Sequence, residues 1–205
     1  ATDDKVKEYF EIHKRPQGFK EMVPGNAALY DSVVEVNLDT IVPMIALPFH
    51  PSNAYLLADV IAEPEKYLKM VEKEAERVFE NNKDIHLDLC SKIHDGKIKV
   101  DQAAIAGCAA GSFENIYAVD QIAKKMDKGL GTFPFNIYPA SQPIMYELNK
   151  IGVLNDLMGY GVRVKTAFCG PCFGASDAPG NNDFCIRHST RNFPNREGSN
   201  PATGQ

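Results

Sequence analysis

Two cysteines flank Gly170-Pro171 in the stretch FCGPCFG, residues 168–174. A Cys-x-x-Cys pair serves three chemistries: thiol–disulfide exchange, half of a zinc site, or ligation of a larger iron-sulfur group. Dithiol exchange needs helical amides over the first sulfur to stabilise its thiolate. The continuation FGASDAPGNN is rich in Gly, Pro and Asn and predicts no helix. Structural zinc takes four ligands, commonly as two close pairs, and no second close Cys or His pair exists in the chain, so Cys108 and His188 would have to complete the set. Three thiolates, Cys108 with Cys169 and Cys172, suit a cubane cluster that leaves one iron without a protein ligand, and such an iron is a Lewis acid for a substrate hydroxyl. Loops built from Gly and Pro fit that use, because the backbone must approach inorganic sulfide closely. A fourth reading makes the cysteines small core residues. It fits Cys90 and Cys185, which lie in apolar strand-like runs, better than three cysteines on loops.

The positions of these thiols depend on the elements that deliver them. VDQAAIAG (100–107) reads as a buried strand ending at Cys108, and Ser112 caps a helix through FENIYAVDQIAKKM. The order repeats with FPFNIYP as a strand, QPIMYELNKIGVLNDLMGYG as one or two helices ending at glycine, and VRVKTAF as a strand leading to Cys169. Alternating strands and helices predict parallel crossovers and a three-layer α/β/α sandwich with a mostly parallel sheet. The three cysteines then lie after strand C-termini, the usual edge for sites in such sheets.

Upstream, Val6, Tyr9 and Phe10 predict a short amphipathic helix within residues 3–14. SVVEVNL (32–38) alternates as a strand should, and TIVPMIALPFHPSN, broken by three prolines, reads as a buried loop. Residues 63–81 predict a long surface helix.

With 205 residues and 44% hydrophobic content the chain can close a sizeable core without staples, and one compact domain over 1–205 is expected. A net charge of -5 with no basic run argues against nucleic acid, and no apolar stretch is long enough for a membrane span. Five cysteines in a chain of this size fit a reducing compartment, so a soluble cytoplasmic protein is expected. The missing initiator Met and the unfinished end predict one domain cut from a longer chain. Residues 1–20 would be the tail of a preceding domain, and 197–205 the start of a linker to a following one.

The runs VVEVNLDTIVPMIALPFHPSN, IAGCAAGSFENI, AFCGPCFG and STRNFPNREGSNPATG, in that order, resemble the third domain of the aconitase family of iron-sulfur hydro-lyases. The resemblance implies that Cys108, Cys169 and Cys172 ligate a 4Fe-4S cluster, which an isolated domain can lose in air. It also implies that Arg191 and Arg196 bind the carboxylates of a hydroxy di- or tricarboxylic acid, a role suited to a planar, permanently charged guanidinium. The catalytic base is expected from other domains of the same chain, leaving this piece inactive alone. Cys108-Ala109-Ala110-Gly111 stands where the family commonly has Cys-Thr-Asn-Ser, and Thr190 where an Asn is common. These departures imply a divergent hydratase, with a non-catalytic iron-sulfur or metal-binding regulatory domain as the alternative.

Overall fold

In a computed structural model of the chain, residues 2–82, 85–180, 183–194 and 196 are described. They belong to two units, Ala1–Ile41 and Val42–Gln205. The expected linker start at 197–205 lies outside the described residues.

The first unit contains α1 (Asp4–Ile12), whose N-cap Asp3 accepts from the Val6 amide at 3.0 Å through Oδ1. Phe10 meets Phe19 edge-on, with ring centres 6.4 Å apart. The run SVVEVNL is not a strand: Val33 and Val34 are 88% and 84% exposed. Alternation is the pattern of a half-buried strand, yet a strand is stable only when paired, and no described strand pairs with this one.

The second unit begins with a hairpin where a buried loop was expected. β1 (Met44–Ala46) pairs antiparallel with β2 (Ala54–Leu56), placing Ile45 opposite Tyr55. Prolines lack the ladder N–H, so Pro48 and Pro51 fall in the connection and leave the strands free to pair. Asn53 holds that connection by donating to the Pro48 carbonyl at 3.1 Å. After α2 (Leu57–Ala62), the expected long helix is α3 (Pro64–Val78), burying Tyr67, Leu68, Val71 and Ala75 at helical spacing. Leu47, Val60, Tyr67 and Val71 form a small core with the hairpin. A short ladder, β3 (Ile93–His94) with β4 (Lys97–Ile98), follows.

The larger core lies under a parallel sheet of β5 (Gln102–Ile105), β6 (Phe135–Ile137), β7 (Arg163–Val164) and β8 (Cys185–His188), in the order β7-β6-β5-β8. Its helices are α4 (Gly107–Ala110), α5 (Phe113–Ala123), α6 (Gln142–Lys150) and α7 (Val153–Gly159). Ser112 and Ser141 cap α5 and α6 through their hydroxyls. Ile105 and Ile137 point from one sheet face into Ile116, Leu148, Leu154 and Leu157 of those helices, all nearly fully buried. The opposite face is polar: Ala104 is in register with Asn136 and Arg187, and Gln102 shares their side. Chain following β7 covers that face. The α/β class and the parallel sheet match the sequence-based expectation, whereas the strand expected over VRVKTAF is only two residues long.

Asp101 fastens the start of β8 beside the start of β5. Its carboxylate accepts from the Phe184 amide at 2.9 Å and pairs with Lys92 at 2.8 Å and Lys99 at 3.0 Å. The Lys92 hydrogen bond, followed by the amide, holds this carboxyl well below the ordinary range. A depressed folded-state pKa stabilises above the unfolded value of about 3.9 and loses that contribution as pH falls through the folded value. Asp101→Ala is therefore expected to lower stability by about 2 kcal/mol at neutral pH. In denaturant titrations the gap to the wild type should narrow steadily below about pH 4.

Candidate functional site

Cys108, Cys169, Cys172, Arg191 and Arg196 each follow the C-terminal end of a parallel strand, and His188 is the last residue of β8. Cys108 stands in α4, three residues beyond β5; Cys169 and Cys172 follow β7; Arg191 and Arg196 follow β8. Parallel strands put these three exits on one edge of the sheet.

Cys172 is the buried member, 2% exposed, while Cys108 and Cys169 are exposed as residues. Its sulfur lies at the end of β5, 3.8 Å from the Ala106 carbonyl and 4.0 Å from the Thr190 hydroxyl. Gly107 makes this approach possible. With φ at +94° it adopts a conformation that L side chains rarely take, and a Cβ there would stand 2.6 Å from Cys172 Sγ.

The pair is presented by a 3-10 turn, Gly170–Phe173, that Gly174 closes at φ +83°. No helix follows among the described residues of this stretch, as the composition of FGASDAPGNN predicts. Partial enclosure pushes the Cys169 thiol up, the adjacent Cys172 and Cys108 thiols push it in the same direction, and the Arg191 guanidinium pulls against them. Cys172, Cys108 and Arg191 are thus the neighbouring groups that bear on Cys169. A redox dithiol needs its first thiol pushed down, so this environment is the wrong one for exchange. Among the described residues, no three His, Cys, Asp or Glu side chains are placed to hold a single metal ion. Thiolates gathered on neighbouring loops need compensating positive charge, and a polynuclear iron group would supply it. The donor set fits a cluster in that chemical sense.

Arg191 and Arg196 both line a cleft of about 610 Å³. His188 lines it too, as does Pro171 from between the two cysteines of the turn; Met44, Ile45, Leu57 and Leu87 give it apolar wall. The arginine-bearing segment is tied to the hairpin by Asn192, whose Nδ2 donates to the Leu47 carbonyl at 2.8 Å and more weakly to that of His50 at 3.3 Å. The ring of Phe193 packs edge-on against His50. The two departures at α4 have different surroundings: Ala110 is fully buried in the helix-side core, whereas Ala109 is exposed. Asn115 donates to both of their carbonyls. Thr190 touches the Cys172 sulfur.

Sequence reasoning did not single out Gly107, Arg187 or Asn192. A glycine immediately before a loop cysteine was the available signal for the first. The other two act on backbone carbonyls distant in the chain, and nothing local announces them. No helix among the described residues is long and apolar enough to cross a membrane.

The chain is 26% identical over 200 residues to the 3-isopropylmalate dehydratase large subunit of Clostridium botulinum, covering 96% of this chain and 38% of that protein. It is 27% identical over 200 residues to a probable mitochondrial aconitate hydratase of Caenorhabditis elegans, covering 94% of this chain and 22% of that protein. The chain thus spans well under half the length of these relatives. A model of the aconitase family (aconitate hydratase) matches residues 1–204, and the chain belongs to that family.

Proposed function

We infer that this chain is the cluster-bearing, substrate-binding part of an aconitase-like hydro-lyase acting on a hydroxy di- or tricarboxylic acid. What supports the reading is that Cys108, Cys169, Cys172, Arg191 and Arg196 all follow the C-terminal ends of the parallel strands β5, β7 and β8, in a chain that belongs to the aconitase family. Cys108, Cys169 and Cys172 are the ligands of a four-iron, four-sulfur cluster. When bound, the cluster supplies an iron without a protein ligand, a Lewis acid for a substrate hydroxyl.

The chain's own contribution is binding and orientation. Arg191 and Arg196 take substrate carboxylates in bidentate contacts, which fix both position and rotation of the acid. Arg191, within reach of Cys169, holds its carboxylate beside the thiol site. The apolar wall around Ile45 and Leu57 limits water, which strengthens those ionic contacts. Proton abstraction is the task of a base from elsewhere in a longer protein.

The test is anaerobic reconstitution of the full-length protein with iron and sulfide, followed by assay of tricarboxylates and other 2-hydroxy acids for alkene formation. Turnover with a cluster supports the reading. A stable cluster without turnover on any acid assigns the domain to regulation, and failure to take up iron and sulfide overturns the ligand assignment. Arg191→Lys should lower kcat/KM by roughly a hundredfold, because an ammonium cannot reproduce the planar two-point contact. Cluster content should remain unchanged.

A further inference from the structure

We propose that Arg187 is the positioning residue that fixes the Cys169–Cys172 turn in the geometry a cluster needs. It stands on the polar face of β8, in register with Ala104 of β5. Its Nη1 donates to the Pro171 carbonyl at 2.7 Å and its Nη2 to the Asp177 carbonyl. One guanidinium thus clamps both ends of the segment 171–177, and Cys172 is the residue immediately inside the first clamp.

The surrounding contacts make the clamp a platform. Gln102 Nε2 donates to the same Asp177 carbonyl at 2.7 Å, and Asn136 Nδ2 donates to Asp177 Oδ1 at 2.9 Å. Tyr138 donates to the Ser176 hydroxyl at 3.3 Å. Three adjacent strands therefore hold the far end of the segment, but among these donors only Arg187 also reaches the near end. The segment itself has no helix or strand after the turn to give it rigidity. A bidentate fork does what a single ammonium cannot, since the carbonyls of Pro171 and Asp177 are each met by a different nitrogen of one rigid plane. Arg187 also lines the cleft with Arg191 and Arg196, yet the role assigned here is to hold the thiols and not the acid.

Holding the turn in advance matters because ligand groups that must be ordered upon binding weaken it; groups supporting ligands from behind typically alter metal affinity by about 10–100-fold. The inference rests on the cluster reading for its second half only, and the experiment separates the two. In the apo full-length protein, alkylation of Cys172 by iodoacetamide, followed by peptide mass spectrometry, reads the turn directly. Arg187→Met should label Cys172 about tenfold faster or more, and Arg187→Lys should fall between it and the wild type. Labelling of Cys90 should stay at the wild-type rate in both variants.

After anaerobic reconstitution, release of iron to a ferrous chelator should accelerate about tenfold in Arg187→Met, with partial rescue in Arg187→Lys. Unchanged Cys172 labelling overturns the clamp. Faster labelling with wild-type iron release overturns the positioning role, and equal acceleration at Cys90 and Cys172 shows general destabilisation, which also overturns it. If the wild type takes up no cluster, the ligand assignment under Proposed function fails, while the labelling still decides whether Arg187 holds the turn.

Discussion

Serine at Cys172 is expected to abolish the cluster of the anaerobically reconstituted full-length protein, and turnover with it, while leaving the fold intact. The substitution is nearly isosteric, and the side chain it replaces is 2% exposed, so little packing changes. What changes is the ligand: a serine hydroxyl is far harder to ionise than a thiol and is a poor match for iron in a sulfide-rich group. Iron content should fall from roughly four per chain to background, with loss of the visible charge-transfer absorption recorded under nitrogen. Cys90→Ser and Cys185→Ser should retain both. Wild-type iron content in Cys172→Ser would remove Cys172 from the ligand set.

Gly107→Ala carries the second large effect, through two costs that a control can separate. An alanine at φ +94° is strained by of order 1–3 kcal/mol, and its Cβ would stand 2.6 Å from the Cys172 sulfur. The sulfur has nowhere to yield without leaving its contacts with Ala106 and Thr190. Gly96, at φ +73° with nothing within 4 Å of an added Cβ, provides the comparison. Both alanine variants should lose thermal stability through backbone strain, but only Gly107→Ala should release iron faster, by about tenfold or more. Equal iron release from the two variants would mean that the close approach at Gly107 does not matter to the site.

How much of this was legible in advance varies by element. Helices α1, α3 and α5 announced themselves because their caps and apolar spacing are local: Asp3 and Ser112 satisfy amides three residues away. The segment 32–38 shows the limit, since alternation specifies which side chains share a face and not whether a second strand exists to pair with them. The hairpin after it was obscured by prolines that turned out to define its connection. At the site, the cysteines and arginines could be listed from spacing and from resemblance, but the shared cleft of Arg191 and Arg196 could not.

The sequence by itself determined the α/β alternation, the position of Cys108, Cys169 and Cys172 beyond strand C-termini, and the lack of a helix among the described residues just after the Cys-Gly-Pro-Cys turn, although Cys108 itself falls in the short helix α4 and not in a loop. These follow from side-chain periodicity and backbone preference, which act over a few residues. Only the tertiary structure decided that Cys172 packs beneath Gly107, that Thr190 lies against its sulfur, and that Arg187 clamps a segment on the neighbouring face. Those contacts join residues brought together by strand order and register, and strand order depends on burying Ile105 and Ile137 against three helices at once. Such a condition belongs to the whole fold and leaves no mark on any short stretch of chain.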